Sequence, residues 1–117
     1  LVAFDAGPSA LKAVDHVSRS PLFVGLSIDV VTVGADEPAA WARLDQAAAQ
    51  LAAGGHRART HVRPGAPIEA IAAAVEDLGA DLLVMGAYGH TRMRALFIGS
   101  TTTEMIRSCR IPVLLFR

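Results

Sequence analysis

The sequence holds one cysteine, Cys109, among 117 residues. An internal disulfide framework and a CxxC zinc or redox pair are therefore excluded. This thiol content fits a reducing compartment, and the expectation is cytoplasmic. No apolar run approaches the ~20 residues a membrane span requires, and no basic segment leads into an apolar one as in a signal peptide. Neither sign of charge is in excess, because 11 Lys and Arg stand against 11 Asp and Glu. Such a balance argues against a general nucleic-acid binder and a polybasic membrane binder. His16, His56 and His61 lack metal-ligand spacing and are expected on the surface, so no metal site is assigned. No activated nucleophile or acid–base pair stands out, so no catalytic residue is assigned either. An initiator Met is also missing. Leu1-Val2-Ala3-Phe4 reads as a strand already under way, as in a trimmed chain or a piece of a longer one.

What is present is core-forming material: 52% of residues are hydrophobic and 19% charged. The length suits one domain over residues 1–117, since a single core usually takes ~100–200 residues. Short apolar runs alternate with longer amphipathic stretches. Leu1–Asp5 is an apolar run, and Leu11, Val14 and Val17 follow with helical spacing up to Pro21. Ile28–Val33 is β-branched and reads as a strand. Asp36-Glu37-Pro38 opens a helix striped by Trp41, Leu44, Ala48 and Leu51, which Gly54-Gly55 stops. Arg57–Arg63 reads as a cationic strand. Pro67 starts a helix lined by Ile68, Ile71, Val75 and Leu78. Leu82–Met85 is continuous enough to be buried on both faces. Ser100 or Thr101 then caps a helix carrying Met105, Ile106 and Cys109, and Pro112–Phe116 is the last strand.

Strands alternating with helices predict an α/β fold: a doubly wound, five-stranded parallel sheet with helices on both faces. The order 3-2-1-4-5 puts the most apolar strands in the centre and the cationic third strand at an edge, where charge discourages sheet-to-sheet pairing. The switch point then falls between the first and fourth strands, whose ends carry Asp5 and Gly86. Ligands of such sheets bind there.

The segment leaving the fourth strand carries the chemistry. Met85 and Gly86 end the strand, Gly89, His90 and Arg92 follow in a loop, and Gly99 precedes Ser100, Thr101 and Thr102 at a helix start. Small residues let backbone approach a ligand. A helix N-terminus favours phosphate, and the hydroxyls add donors. From His90 to Arg117, five arginines (Arg92, Arg94, Arg107, Arg110 and Arg117) face only Glu104, a local anion-binding bias. The segment is neither a Walker A loop nor a GxGxxG fingerprint.

The spacing Gly86-x2-Gly89-x9-Gly99-Ser100 resembles the nucleotide-binding signature of the universal stress protein (UspA-type) family, ATP-binding subgroup. The stretch Gly79–Gly86, the strand ending in Asp5 and the closing Ile111–Phe116 are similar to that family too, so the resemblance runs along the whole chain. It implies an adenine nucleotide alpha hydrolase-like fold and ATP or ADP as ligand; if Asp5 meets a triphosphate, like-charge repulsion argues for a bridging Mg²⁺ or for contact with ribose hydroxyls instead. It implies Asp5 beside the nucleotide, Val33 against the adenine, and Gly86, Gly89, Gly99, Ser100 and Thr101, with Thr102, around ribose and phosphates. The chain departs from the family's pattern at Ala6-Gly7-Pro8, where Gly-Ser is usual after the acid, and in its brief link between Val33 and Trp41. Family members dimerise through the last strand or occur as tandem domains. The implied partners are thus an adenine nucleotide and a second copy or tandem half pairing through Val113 and Leu115.

Plainer readings stand beside these. Asp5 either caps the first helix and holds its loop or meets the ligand. His90 reads as a loop residue or phosphate donor rather than a base. Trp41 and Cys109 read as core, and the stripe Arg57, Arg59, His61 and Arg63 as edge protection rather than an anion site. The leading function is a stress-associated nucleotide-binding sensor or switch. Its rivals are a slow Mg²⁺-dependent ATPase or transfer enzyme and a nucleotide-free dimerisation domain.

Overall fold

The computed structural model describes residues 1–87 and 100–117. Its elements are β1 (Val2–Ala3), α1 (Pro8–Arg19), β2 (Ile28–Val33), α2 (Pro38–Ala53), β3 (Ala58–Arg63), α3 (Pro67–Asp77), β4 (Leu83–Gly86), α4 (Ser100–Ser108) and β5 (Val113–Phe116). The five strands are ordered β3-β2-β1-β4-β5, and every adjacent pair is parallel. The expected fold class and strand order are both present.

The period-2 alternation of strands explains the two layers. Val2, Phe4, Val30 and Val84 face a core completed by Ala13, Val14 and Val17 of α1 and Leu44, Ala47 and Leu51 of α2. Leu83 and Met85 face the other way, toward Ile71 of α3 and Met105 of α4. The central strands are thus covered on both sides, which is why Leu83-Val84-Met85 is apolar without a break. No helix among the described residues is long and apolar enough to cross a membrane.

Several expected faces turn out differently. The buried stripe of α2 is Ala40, Leu44, Ala47 and Leu51, and Trp41 is 38% exposed. Its indole Nε1 donates to Asp36 Oδ1 at 2.6 Å, so the residue clasps the entry to α2 instead of filling the core. Leu11 and Ile106 are exposed as well. In both helices small or flexible neighbours take the inward positions, Ala10 in α1 and Met105 in α4. His56, expected on the surface, is only 6% exposed. Its backbone N–H donates to Leu51 O at 3.0 Å, which folds it under the end of α2.

The cationic strand lies at the sheet edge as expected, and its charges are answered within the chain. Arg59 donates two hydrogen bonds to Asp29, at 2.9 and 2.8 Å. His61 Nε2 lies 2.7 Å from Asp29 Oδ1, and Arg63 pairs with Asp77 of α3 at 3.6 Å. Burial pushes the Asp29 carboxyl up, but the hydrogen bonds and charges of Arg59 and His61 outweigh it and leave the carboxyl below its ordinary value. The unfolded chain therefore takes up this proton first. The stabilisation is fully present above the ordinary aspartate value of ~3.9 and is lost as pH falls through the lower folded-state value. Asp29→Asn is expected to lower stability at neutral pH by about 1 kcal/mol, the low end for such bonds because Arg59 can return to water. Urea midpoints should converge between the two proteins as the medium is acidified below pH ~4. A difference unchanged down to strong acid would contradict this account of the edge.

Candidate functional site

The carboxyl ends of β1, β2 and β4 come together by backbone pairing. Phe4 N donates to Val31 O at 2.8 Å, extending the β1–β2 pairing past Ala3. The Thr32 hydroxyl donates to Phe4 O at 2.7 Å. These bonds hold the chain straight until Asp5 and bring it beside Val33. Ala87 N donates to Phe116 O at 2.7 Å, fixing the exit of β4.

A cleft of about 320 Å³ opens at this point, lined by Ala3, Phe4, Asp5, Val33, Pro67, Ile71, Met85, Gly86, Ser100, Thr101 and Thr102. It sits where β1 and β4 are neighbours and the winding reverses, the ligand position of open parallel sheets. Of the site residues read from the sequence, Asp5, Val33, Met85, Gly86, Ser100, Thr101 and Thr102 share this one cleft. Gly89, His90, Arg92 and Gly99 lie outside the described residues.

The lining divides by chemistry. Ala3, Val33, Pro67, Ile71 and Met85 give an apolar wall suited to a flat heterocycle. Asp5 and the hydroxyls of Ser100 and Thr101 give a polar side. Ser100 and Thr101 begin α4, whose first turn contains no acidic residue. The first N–H groups of a helix have no partner within it, so an anion meets donors and a favourable dipole there. This donor set fits a ligand with an apolar ring and an anionic tail. No cluster of three or more His, Cys, Asp or Glu placed to hold a metal occurs among the described residues.

Three site residues also do structural work. Gly86 is expected to admit a ligand, but a Cβ there would lie 2.8 Å from Ser9 Cβ and 3.0 Å from Ala10 N. The missing side chain lets β4 run against the first turn of α1. Thr102 is only 3% exposed. Its hydroxyl lies 3.4 Å from Gly86 O and 3.3 Å from Ala87 O, tying α4 to the end of β4. Asp5 holds its loop, one of its two readings, from a place in the cleft wall. It lines the cleft, and its Oδ1 accepts from Gly7 N at 2.8 Å, which holds the turn into α1.

Sequence reading passed over Ala3, Phe4, Pro67 and Ile71. For the last two a signal existed. With the order 3-2-1-4-5, α3 must cross from β3 to β4, so its N-terminal turns start over the ends of the central strands. Pro67 and Ile71, four residues apart, share one helix face there.

Fold and cleft together define the class: a doubly wound α/β domain of the nucleotide alpha hydrolase-like fold. The chain matches the family model of the universal stress proteins over residues 1–117 and belongs to that family. It is 40% identical over 119 aligned residues to universal stress protein Slr1230 of Synechocystis sp., covering 100% of this chain and 42% of that protein. The chain thus spans less than half the length of this curated relative. The structure of MJ0577 of Methanocaldococcus jannaschii superposes with a TM-score of 0.85 at 22% identity, over 98% of this chain and 93% of that one. A universal stress protein in complex with cAMP superposes with a TM-score of 0.79 at 25% identity, over 99% and 94% of the two chains.

Proposed function

We propose that the cleft binds an adenine nucleotide, ATP or ADP, and that the domain acts as a sensor or switch responding to which of them it holds. One observation carries the reading: seven residues picked from the sequence for this ligand, spread from Asp5 to Thr102, line a single cleft at the switch point. The apolar wall takes the base, Val33 lying against it. Asp5 stands near the sugar, and Ser100 and Thr101 at the start of α4 receive phosphate oxygens. Gly89, His90, Arg92 and Gly99 belong to the same reading. Where a triphosphate lies close to Asp5, a bridging Mg²⁺ removes the repulsion between like charges. ATP and ADP differ in charge at this end of the ligand, which is the difference a switch needs.

The cAMP complex of a related universal stress protein supports a nucleotide ligand. The position of β5 supports a second proposal, pairing of two copies or tandem halves through Val113 and Leu115. This strand is the outermost of the sheet, with β4 as its one neighbouring strand among the described residues, and outer strands of this kind accept another chain.

Calorimetric titration of protein stripped of carried-over ligand tests the main reading. Saturable binding of ATP and ADP, with Mg²⁺ altering ATP more than ADP, is the expected result. No binding to well-folded protein would leave the interaction-domain reading in its place. Mg²⁺-dependent turnover abolished by Asp5→Ala or Ser100→Ala would make the protein an enzyme instead.

A further inference from the structure

We propose that Ala6 is a positioning residue of the cleft: its left-handed backbone, anchored by its methyl group, fixes the Asp5 carboxylate so that it reads hydroxyl groups on the ligand. This rests on the nucleotide reading above. Ala6 has φ +61°, the one positive φ at a non-glycine among the described residues. A residue with a Cβ enters this region at a cost, and such strain persists only where the surroundings enforce it. Here the surroundings are visible. Ala6 packs against the core shared by the sheet, α1 and α2. On one side of it Asp5 lines the cleft, and on the other Gly7 N donates to Asp5 Oδ1 at 2.8 Å.

Gly7 completes the seat. A Cβ at that position would stand 3.0 Å from Asp5 Oδ1 and 3.4 Å from Oδ2, so the carboxylate rests against bare backbone. The anchor, the left-handed turn and the seat leave the carboxylate little freedom. An ionised carboxylate only accepts hydrogen bonds. Held beside a cleft whose other described lining is apolar or hydroxyl-bearing, it favours a ligand presenting hydroxyl donors, as a ribose does, over one lacking them. A loosely held carboxylate discriminates less, because the bond must also order it.

Ala6→Gly removes the anchor while leaving the turn accessible, since glycine adopts positive φ readily. The experiment measures binding of AMP and 2′,3′-dideoxy-AMP to the original protein, Ala6→Gly, Asp5→Asn and the double variant. Urea unfolding is followed in parallel. The unfolding midpoint of Ala6→Gly should be unchanged or higher, whereas its AMP affinity should fall by about 3- to 10-fold, within the range of coupled neighbours. Its preference for AMP over the dideoxy compound should shrink. In the Asp5→Asn background Ala6→Gly should change nothing further. Gly7→Ala, which crowds the same carboxylate, should reproduce the loss of preference. Unaltered affinity and preference in Ala6→Gly would overturn the assignment, as would an equal loss with and without Asp5. If the original protein binds neither compound, the nucleotide reading fails and this assignment with it. If it binds AMP and Ala6→Gly is silent, this assignment alone fails.

Discussion

Gly54→Ala is expected to destabilise the protein by about 3 kcal/mol, the upper part of the range for forcing an extra group into packed structure. That corresponds to a fall of roughly 12 °C in the melting midpoint for a chain of this size. The residue follows α2 with φ −82° and ψ 1°, a conformation any amino acid adopts, so backbone freedom does not explain it. Space does. An ideal Cβ on Gly54 would lie 1.9 Å from the carbonyl oxygen of Ser18 and 2.7 Å from its carbonyl carbon. Both belong to the last turn of α1, where Ser18 is buried, so no flexible side chain can swing aside. The added methyl must separate α1 from the end of α2 and loosen Val17, Leu44 and Leu51, which share a core. Gly55→Ala provides the contrast. Gly55 has φ +87° with open space around its Cβ position, so its cost is conformational, ~1–2 kcal/mol. If Gly54→Ala melts no lower than Gly55→Ala, the close packing of α1 on α2 is misjudged.

Thr101→Asp is expected to separate folding from binding. Thr101 lies in the first turn of α4, where no acid is present. A carboxylate there complements the helix dipole, worth ~0.3–1 kcal/mol, so stability should hold or rise slightly. The same charge faces the cleft that Thr101 lines. Against a phosphate a few ångströms away it should cost about 2 kcal/mol, which corresponds to roughly 30-fold weaker ATP binding. The loss should lessen as salt is added, and adenosine, which has no phosphate, should be affected far less. Equal losses for ATP and adenosine would indicate simple blockage. An unchanged ATP affinity would mean that no phosphate meets α4, and the orientation of the proposed ligand would have to be reversed or abandoned.

The layer order was legible because it depends on patterns the chain displays openly. The unbroken Leu82–Met85 run marks a central strand, and the cationic β3 marks an edge. The cleft followed from that order, since Asp5 and Gly86 end neighbouring strands wherever β1 and β4 pair. Side-chain faces were less legible in α1, α2 and α4. There alanines and Met105 take inward positions beside Val14, Val17, Leu44 and Leu51, while larger apolar residues such as Leu11, Trp41 and Ile106 point outward. A periodicity count weighted by size selects the wrong members of such a stripe. Besides ending α2 and lining the cleft, Gly54 and Gly86 mark places where a second element touches backbone, a tertiary fact with no local signature. The partners of Arg59 and His61 were hidden for the same reason, because Asp29 joins them only through the β2–β3 register.

The most direct measurement of the central claim is a map of backbone amide shifts as ATP is titrated into ligand-free protein. The account predicts saturable changes at Asp5, Val33, Gly86 and Thr101, which lie far apart in sequence and meet at one cleft. The edge residues Arg59 and His61 should stay unmoved. Saturable shifts centred on β3, or on the outer face of α1, with the cleft residues silent, would contradict it.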